Sequence, residues 1–411
     1  MSQTFLSNSQ VVTNMNVLFL PSHFPSKREP HRATYVYEYA RSLALEHNVT
    51  IVYPQQLGTP GVGDEPFSEE ALLEPRIRLV NYTYSQLPKS WVLSYLSAYR
   101  KVWRRIRREW KIDVIYAHIV MPAGVAAVLL GKALRIPVML TEHWGPVSQW
   151  FKVPSQPWSL QRATLKYTYG QVDYLTAVSS SLAEEISEAF GAPAHGKLDY
   201  PLDCDLFYPE LHQPQDVSAL HALCVTRGHS WDWRKGVPDL LAAWALVAQR
   251  TSGKVYLDIV GEEVEKLAPQ VAALGISETC LLHPWRPAAE LAPLMRRAAL
   301  LIIPSRYETF GRSGMEALAS GVPVVATRCG GPNEYVEEGT GLLVPSGDPH
   351  ALAEGILAGL ERDRFLPPEE LARRTRERFS YETICERFTD VATTLINDKR
   401  ARKIGATGFT H

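Results

Sequence analysis

The chain alternates short apolar runs with stretches of helical periodicity, and it does so twice. Apolar runs fall at 16–20, 49–53, 114–116, 138–141 and 174–178, separated by helical stretches at 34–46, 92–111, 122–134 and 160–169. After a Pro- and Asp-rich interruption at 198–216 the pattern restarts. Runs at 222–225, 255–260, 281–282, 300–303 and 322–327 then alternate with helical stretches at 237–249, 288–297 and 311–321. Strand–helix–strand units with right-handed crossovers build parallel sheets. Two consecutive sets predict an α/β protein of two Rossmann-like domains, with ligands at the carboxyl ends of the strands. The boundaries expected are 1–200 for the first domain, 201–216 for a connector, 217–385 for the second domain, and 386–411 for a C-terminal helix and tail able to cross back to the first.

Composition narrows the partners. At 411 residues and 45% hydrophobic, the chain can fill two cores. Lys plus Arg number 43 against 44 for Asp plus Glu, so no global charge points to nucleic acid. The halves differ mildly: 1–200 holds 20 basic and 16 acidic groups, and 201–411 holds 23 and 28. Five scattered cysteines without metal-ligand spacing read as a reducing compartment. No apolar stretch approaches the roughly 20 residues that span a bilayer, and 1–14 read as a loose tail rather than a signal peptide. A cytoplasmic location is expected.

The most informative segment is PSRYETFGRSGMEALASGVPVVATRCGGPNE (304–334). A buried run ends at Pro304-Ser305, Gly311 opens a helix through Glu316, and a second run leads to the turn Gly330-Gly331-Pro332. A strand feeding a Gly-containing loop that opens a helix is an anion site, because free N–H groups and the positive helix end face the ligand. Glu308 and Glu316 would repel phosphates. They suit hydroxyl-rich groups flanking a pyrophosphate, a sugar on one side and a ribose on the other. Taken alone, a solvated loop charge and a helix-face charge are the plainer reading.

The flanks favour the site. This segment resembles the donor site of retaining GT-B glycosyltransferases, the glycogen-synthase-like group (glycosyltransferase family four, group one), with its Glu, seven residues, Glu signature. The resemblance implies two Rossmann-like domains facing a central cleft, with Glu308 on sugar hydroxyls and Glu316 on the ribose. The backbone of Phe310 and Gly311 would lie on the diphosphate. Thr309 stands where the group often has a glycine or another small residue.

Other residues join this reading. Arg227 follows a buried run and Lys235-Gly236 open a helix, so both cations can neutralise a diphosphate. They resemble the Arg…Lys-Gly phosphate grip of the group, with a longer spacer, so Arg234 could replace one of the pair. His118 ends the run in Asp113-Val114-Ile115-Tyr116-Ala117-His118, a stretch resembling the group's histidine segment, and is expected to hydrogen-bond the hexose or the acceptor. Glu142 and His143 end the next run and could orient the acceptor, or simply form a hydrogen-bonded wall. Arg32 lies in the loop matching the group's glycine-rich loop, where Ala33 replaces a glycine. The string Asp203-Cys204-Asp205 offers metal spacing but resembles the group's connector, so no metal ligands are assigned.

RKVWRRIRREWK (100–111) holds seven basic groups and one acid, with Trp103, Ile106 and Trp110 at helical spacing. One account packs that face on the sheet. The other lays it on anionic lipid.

The expected function is a retaining, metal-independent hexosyltransferase without cofactor. It would move sugar from a nucleotide diphosphate, UDP ahead of GDP, to a saccharide or lipid-linked acceptor in glycan or glycolipid biosynthesis. Alternatives are a nucleotide-sugar epimerase of the same architecture and a non-catalytic nucleotide-sugar-binding protein.

Overall fold

A computed structural model describes residues 14–25, 32–58, 62, 66, 68–85, 91–145, 158–210, 219–226, 232–251 and 255–407. The chain divides into two compact units. The first comprises residues up to Val178, then Ala183–Pro201, and Tyr381 onward; the second comprises Ser179–Leu182 and Leu202–Ser380.

Among the described residues, the first unit holds an eight-stranded sheet. Its strands are β1 (Asn16–Pro21), β2 (Asn48–Gln56), β3 (Ser68–Glu74), β4 (Ile77–Tyr84), β5 (Val114–His118), β6 (Val138–Glu142), β7 (Tyr174–Ala177) and β8 (Gly196–Lys197). They run in the order β3-β4-β2-β1-β5-β6-β7-β8. All pairs are parallel except β3 with β4. β1 and β5 are buried along nearly their whole length because both faces of the sheet are covered, which is why they read as unbroken apolar runs. β3 is different. It alternates partly exposed residues along an edge, so its sequence carries no such run.

The helix Tyr381–Thr407 belongs to this unit. Tyr381 accepts a hydrogen bond from Ser42 through its carbonyl (2.8 Å), Thr389 meets the buried His47 ring at 2.8 Å, and Arg387 pairs with Asp199 at 3.1 Å. Phe388, Ala392 and Ile396 supply its buried face. The helix therefore starts five residues before the expected boundary at 386.

Residues 92–111 do not form the single helix that the spacing predicts. Helices Trp91–Ala98 and Arg100–Arg104 are followed by a π turn over Arg105–Glu109, closed by a bond from the Trp110 N–H to the Arg105 carbonyl at 2.7 Å. The wider turn shifts the phase, so Trp103 and Trp110 do not share a face. Trp110 lies in extended backbone under the Arg105 guanidinium, at 4.8 Å.

The second unit holds a parallel six-stranded sheet of β9 (Leu220–Val225), β10 (Val255–Gly261), β11 (Cys280–Pro284), β12 (Leu300–Ile303), β13 (Val324–Thr327) and β14 (Gly341–Val344), in the order β11-β10-β9-β12-β13-β14. On one face the helices Val237–Thr251 and Pro349–Gly359 close a core through Leu240, Trp244, Val247, Leu352 and Ile356. Trp244 has no exposed surface and its indole N–H donates to Thr279 at 3.2 Å. Trp244→Ala should therefore lower the stability of this unit by about 3–5 kcal/mol, seen as a shifted denaturant midpoint.

Candidate donor site and histidine chain

In the second unit three loops meet at the carboxyl ends of β9, β12 and β13. Two glycines allow the contact. A Cβ on Gly236 would lie 2.0 Å from the Pro304 carbonyl oxygen, and one on Gly331 would lie 2.1 Å from the Phe310 Cα. The Arg306 and Tyr307 N–H groups donate to the Arg234 carbonyl at 2.7 and 3.2 Å. The Glu308 N–H donates to the Cys329 carbonyl at 3.0 Å, and the Glu308 carbonyl accepts from Gly331 at 2.7 Å. The segments 232–236, 304–311 and 329–334 thus form one platform.

On that platform Lys235 Nζ lies 2.7 Å from a Glu308 carboxylate oxygen. Burial pulls the Lys235 ammonium down, but the Glu308 carboxylate outweighs it, and the net shift is upward. Lys235 stays charged. Gly311, with φ at 80°, begins the helix Arg312–Ala319, and no side chain caps that start. Phe310 is buried, with its ring against Tyr335 and Phe379 at 5.3 and 5.9 Å, so only its backbone can face a ligand. Thr309 is half-buried in the loop between them.

Glu316 sits one helical turn in, nearly buried. Burial raises its carboxyl, and the Arg312 guanidinium at 3.1 Å opposes that rise. Arg312 was not among the residues singled out from the sequence, although its spacing of four from Glu316 is a readable helical pairing. Its Nε is buried without a hydrogen-bond partner. Tyr335 was also missed. Its hydroxyl donates to the Gly311 carbonyl at 2.5 Å and fixes the turn that opens the helix.

Arg227 lies outside the described residues. Arg234 is held by Asp232 through two contacts, at 2.8 and 3.0 Å. Asp203 accepts from the Asp205 and Leu206 N–H groups at 3.2 and 3.1 Å, and Asp205 turns to Arg376 at 2.8 Å, so the two carboxylates do not converge.

In the first unit His118 ends β5 with no exposed surface, its ring packed against Phe19, Tyr39 and Tyr116. Its Nδ1 meets His143 Nε2 at 2.9 Å, and His143 Nδ1 meets the Tyr200 hydroxyl at 2.9 Å. His118 Nε2 is buried without a partner. Burial, with His143 beside it, holds its basicity well below the ordinary histidine range. The residue that follows, Ile119, takes φ of 69°, unusual for a β-branched side chain. Ser22 donates to its carbonyl at 3.1 Å, which helps hold the turn.

Glu142 and His143 need correction as acceptor contacts. Both Glu142 oxygens are occupied, by the N–H groups of Val120, His143 and Trp144 at 2.9, 3.0 and 3.1 Å and by the Tyr169 hydroxyl at 2.9 Å. Both His143 nitrogens are used in the chain just described. These side chains fix backbone and rings rather than face a ligand. Arg32 meets the His23 ring at 3.1 Å, and Ala33 adopts the left-handed conformation (φ 49°) that a glycine would take there more easily.

Known proteins agree with this architecture. Residues 33–197 match the family model Glycosyltransferase Family 4, and residues 220–362 match Glycosyl transferases group 1. The chain belongs to these glycosyltransferases and has their GT-B fold. It is 31% identical over 277 residues to D-inositol 3-phosphate glycosyltransferase 1 of Catenulispora acidiphila, a match covering 62% of this chain and 65% of that relative. It is 26% identical over 392 residues to the glycogen synthase of Mycobacterium tuberculosis, covering 90% and 92%. Among solved structures, sucrose-phosphate synthase from Thermosynechococcus elongatus superposes with a TM-score of 0.70 at 20% identity, covering 94% of this chain and 100% of that one. The Anabaena protein HepE in complex with UDP superposes with a TM-score of 0.68 at 20% identity, covering 92% and 100%.

The Arg312–Glu316 pair gives a test with a definite sign. Arg312→Leu leaves a nearly buried carboxylate without its cation, and should cost about 1–3 kcal/mol at pH 7. Glu316 in that variant titrates above its unfolded value, so its folded form is favoured below that value and penalised as pH rises through the folded one. The gap between parent and variant should shrink on acidification, measured by thermal unfolding at pH 7 and pH 4.

Proposed function

We propose that the protein transfers a hexose-type sugar from a nucleoside diphosphate to a saccharide or lipid-linked acceptor, with retention of anomeric configuration, in glycan or glycolipid biosynthesis. The observation that carries the reading is the platform itself. A half-buried, charged Lys235 lies beside Glu308 and next to an uncapped helix start, and Glu316 stands on that same helix. UDP is placed ahead of GDP, in keeping with the UDP bound by the structurally similar Anabaena protein.

Each group has one task. As the bond to the sugar breaks, negative charge builds on the diphosphate, and Lys235, Arg227 and the Phe310–Gly311 backbone stabilise it. When the diphosphate takes over Lys235, Glu308 is released to hold sugar hydroxyls. Glu316, whose side chain leans toward the amino end of its helix, holds the ribose. His118 enters through Nε2, and a hydroxyl reaches that atom only when its surroundings open. With phosphate charge met by cations and a helix end, no divalent ion has a task here. Stretch 100–111 adds a cytoplasmic, membrane-surface reading: Arg100, Arg104, Arg107 and Arg108 are exposed, and among the described residues no helix is long and apolar enough to cross a membrane.

Nucleotide release with and without acceptor separates transfer from epimerisation and from binding alone. Glu316→Ala should weaken nucleotide binding by roughly 0.5–1.5 kcal/mol for each hydrogen bond lost. Glu308→Ala should lower turnover more than nucleotide affinity. Calorimetry and initial rates on both variants check this, and parent-like behaviour in both would reject the site. Turnover should also persist in excess chelator; loss restored by magnesium or manganese would overturn the metal-free reading.

A further inference from the structure

The helices Trp91–Ala98 and Arg100–Arg104 pack inward through Tyr95, Ala98, Tyr99 and Val102. On the outside they leave an apolar groove against the helix Val125–Leu134. Its volume is about 380 Å³, and Leu96, Trp103, Leu129, Leu130 and Ala133 line it, with Arg100 at the rim. Leu129 in the lining is 44% exposed, and Leu93, one turn before Leu96, is 60% exposed, so the described residues do not close this surface. All of it belongs to the first unit.

The charge of stretch 100–111, which begins at that rim, is sorted. Lys101 donates to the Thr83 carbonyl at 2.9 Å, and Arg105 makes two 2.8 Å contacts with Glu70, so both serve the fold. Arg100, Arg104, Arg107 and Arg108 remain exposed, with Glu109 as the acid among them. A protein helix seated in the groove would have to supply acidic groups matched to four exposed arginines. An anionic bilayer supplies both parts at once: phosphates at the headgroup level for guanidinium forks, and hydrocarbon just below.

We propose that this face of the first unit lies on an anionic membrane surface, with Leu93, Trp103 and Leu129 entering the hydrocarbon boundary and the groove holding one lipid acyl chain. The proposal rests on the membrane-surface reading of 100–111 and adds the apolar seat. It does not depend on the donor platform. The arginines recruit the protein, and the groove retains it once salt has screened them.

The test uses the full chain and sedimented vesicles of phosphatidylcholine, with and without about one third phosphatidylglycerol. Parent binding should rise with anionic content and fall between 0.1 M and 1 M salt, as the Debye length drops from about 10 Å to about 3 Å. Each arginine removed in Arg104→Ser, Arg107→Ser and Arg108→Ser should lower partitioning roughly fivefold. The double variant Leu93→Ser, Leu129→Ser keeps every charge and should lose the salt-resistant fraction. Lipids brominated along the acyl chain should quench parent fluorescence more than that of Trp103→Phe. Binding that depends on the arginines but not on the leucines, with no extra quenching, leaves a purely electrostatic surface and overturns the groove. Absence of parent binding at low salt overturns both. Self-association abolished by Leu129→Ser, without vesicle binding, makes a second copy the occupant and also overturns it. Acceptor-free nucleotide release should match the parent in every variant, which separates these results from the fate of the donor site.

Discussion

The platform of the second unit depends on backbone approaching backbone where a side chain would not fit. At Gly236 and Gly331 even one added carbon would fall about 2 Å from neighbouring main-chain atoms. Because these positions are bare, the loops after β9, β12 and β13 share hydrogen bonds and carry Lys235 and Glu308 into contact. The pairing is long-range in sequence but short-range in structure. Parallel strands emerge side by side, so residues 73 positions apart meet at 2.7 Å.

Two buried glutamates show how burial and partners divide labour. Glu142 is 1% exposed and accepts four hydrogen bonds from its own unit, so its oxygens are saturated and its work is to hold the turns at Val120 and Trp144. Glu316 is 8% exposed, and among the described residues its carboxylate meets one guanidinium nitrogen, of Arg312, at 3.1 Å. Burial pushes both carboxyl groups toward the neutral form, more than their donors pull them back. A hydroxyl-bearing ligand would therefore find acceptor capacity at Glu316 and none at Glu142. Similar burial, with different saturation, separates a carboxylate that keeps acceptor capacity from one spent on the scaffold.

That distinction also marks what the sequence could disclose. Buried parallel strands carry no alternation, so runs such as 138–141 and 300–303 were legible, and so was the strand–loop–helix order around Gly311. The hairpin of β3 and β4 was not, because an edge strand of mixed exposure lacks both patterns. Glu142 and His143 were placed correctly at a strand end, but whether their polar atoms were already used depends on Val120, Tyr169 and Tyr200, which no local motif names. The spacing of Trp103, Ile106 and Trp110 misled for a geometric reason: it assumes an uninterrupted α-helix, and one π turn resets the phase for everything after it.

The histidine chain carries that point to a single proton. If the Tyr200 hydroxyl donates to His143 Nδ1, then His143 Nε2 carries a proton and donates to His118 Nδ1. His118 Nε2 is then protonated and can only donate. If Tyr200 instead accepts, each step reverses and Nε2 presents a lone pair. Burial keeps His118 neutral, so with a neutral His143 beside it one of these two states holds. What His118 can offer a sugar hydroxyl is thus decided at Tyr200, two rings away, by a residue that lies beyond the strand bearing the histidine.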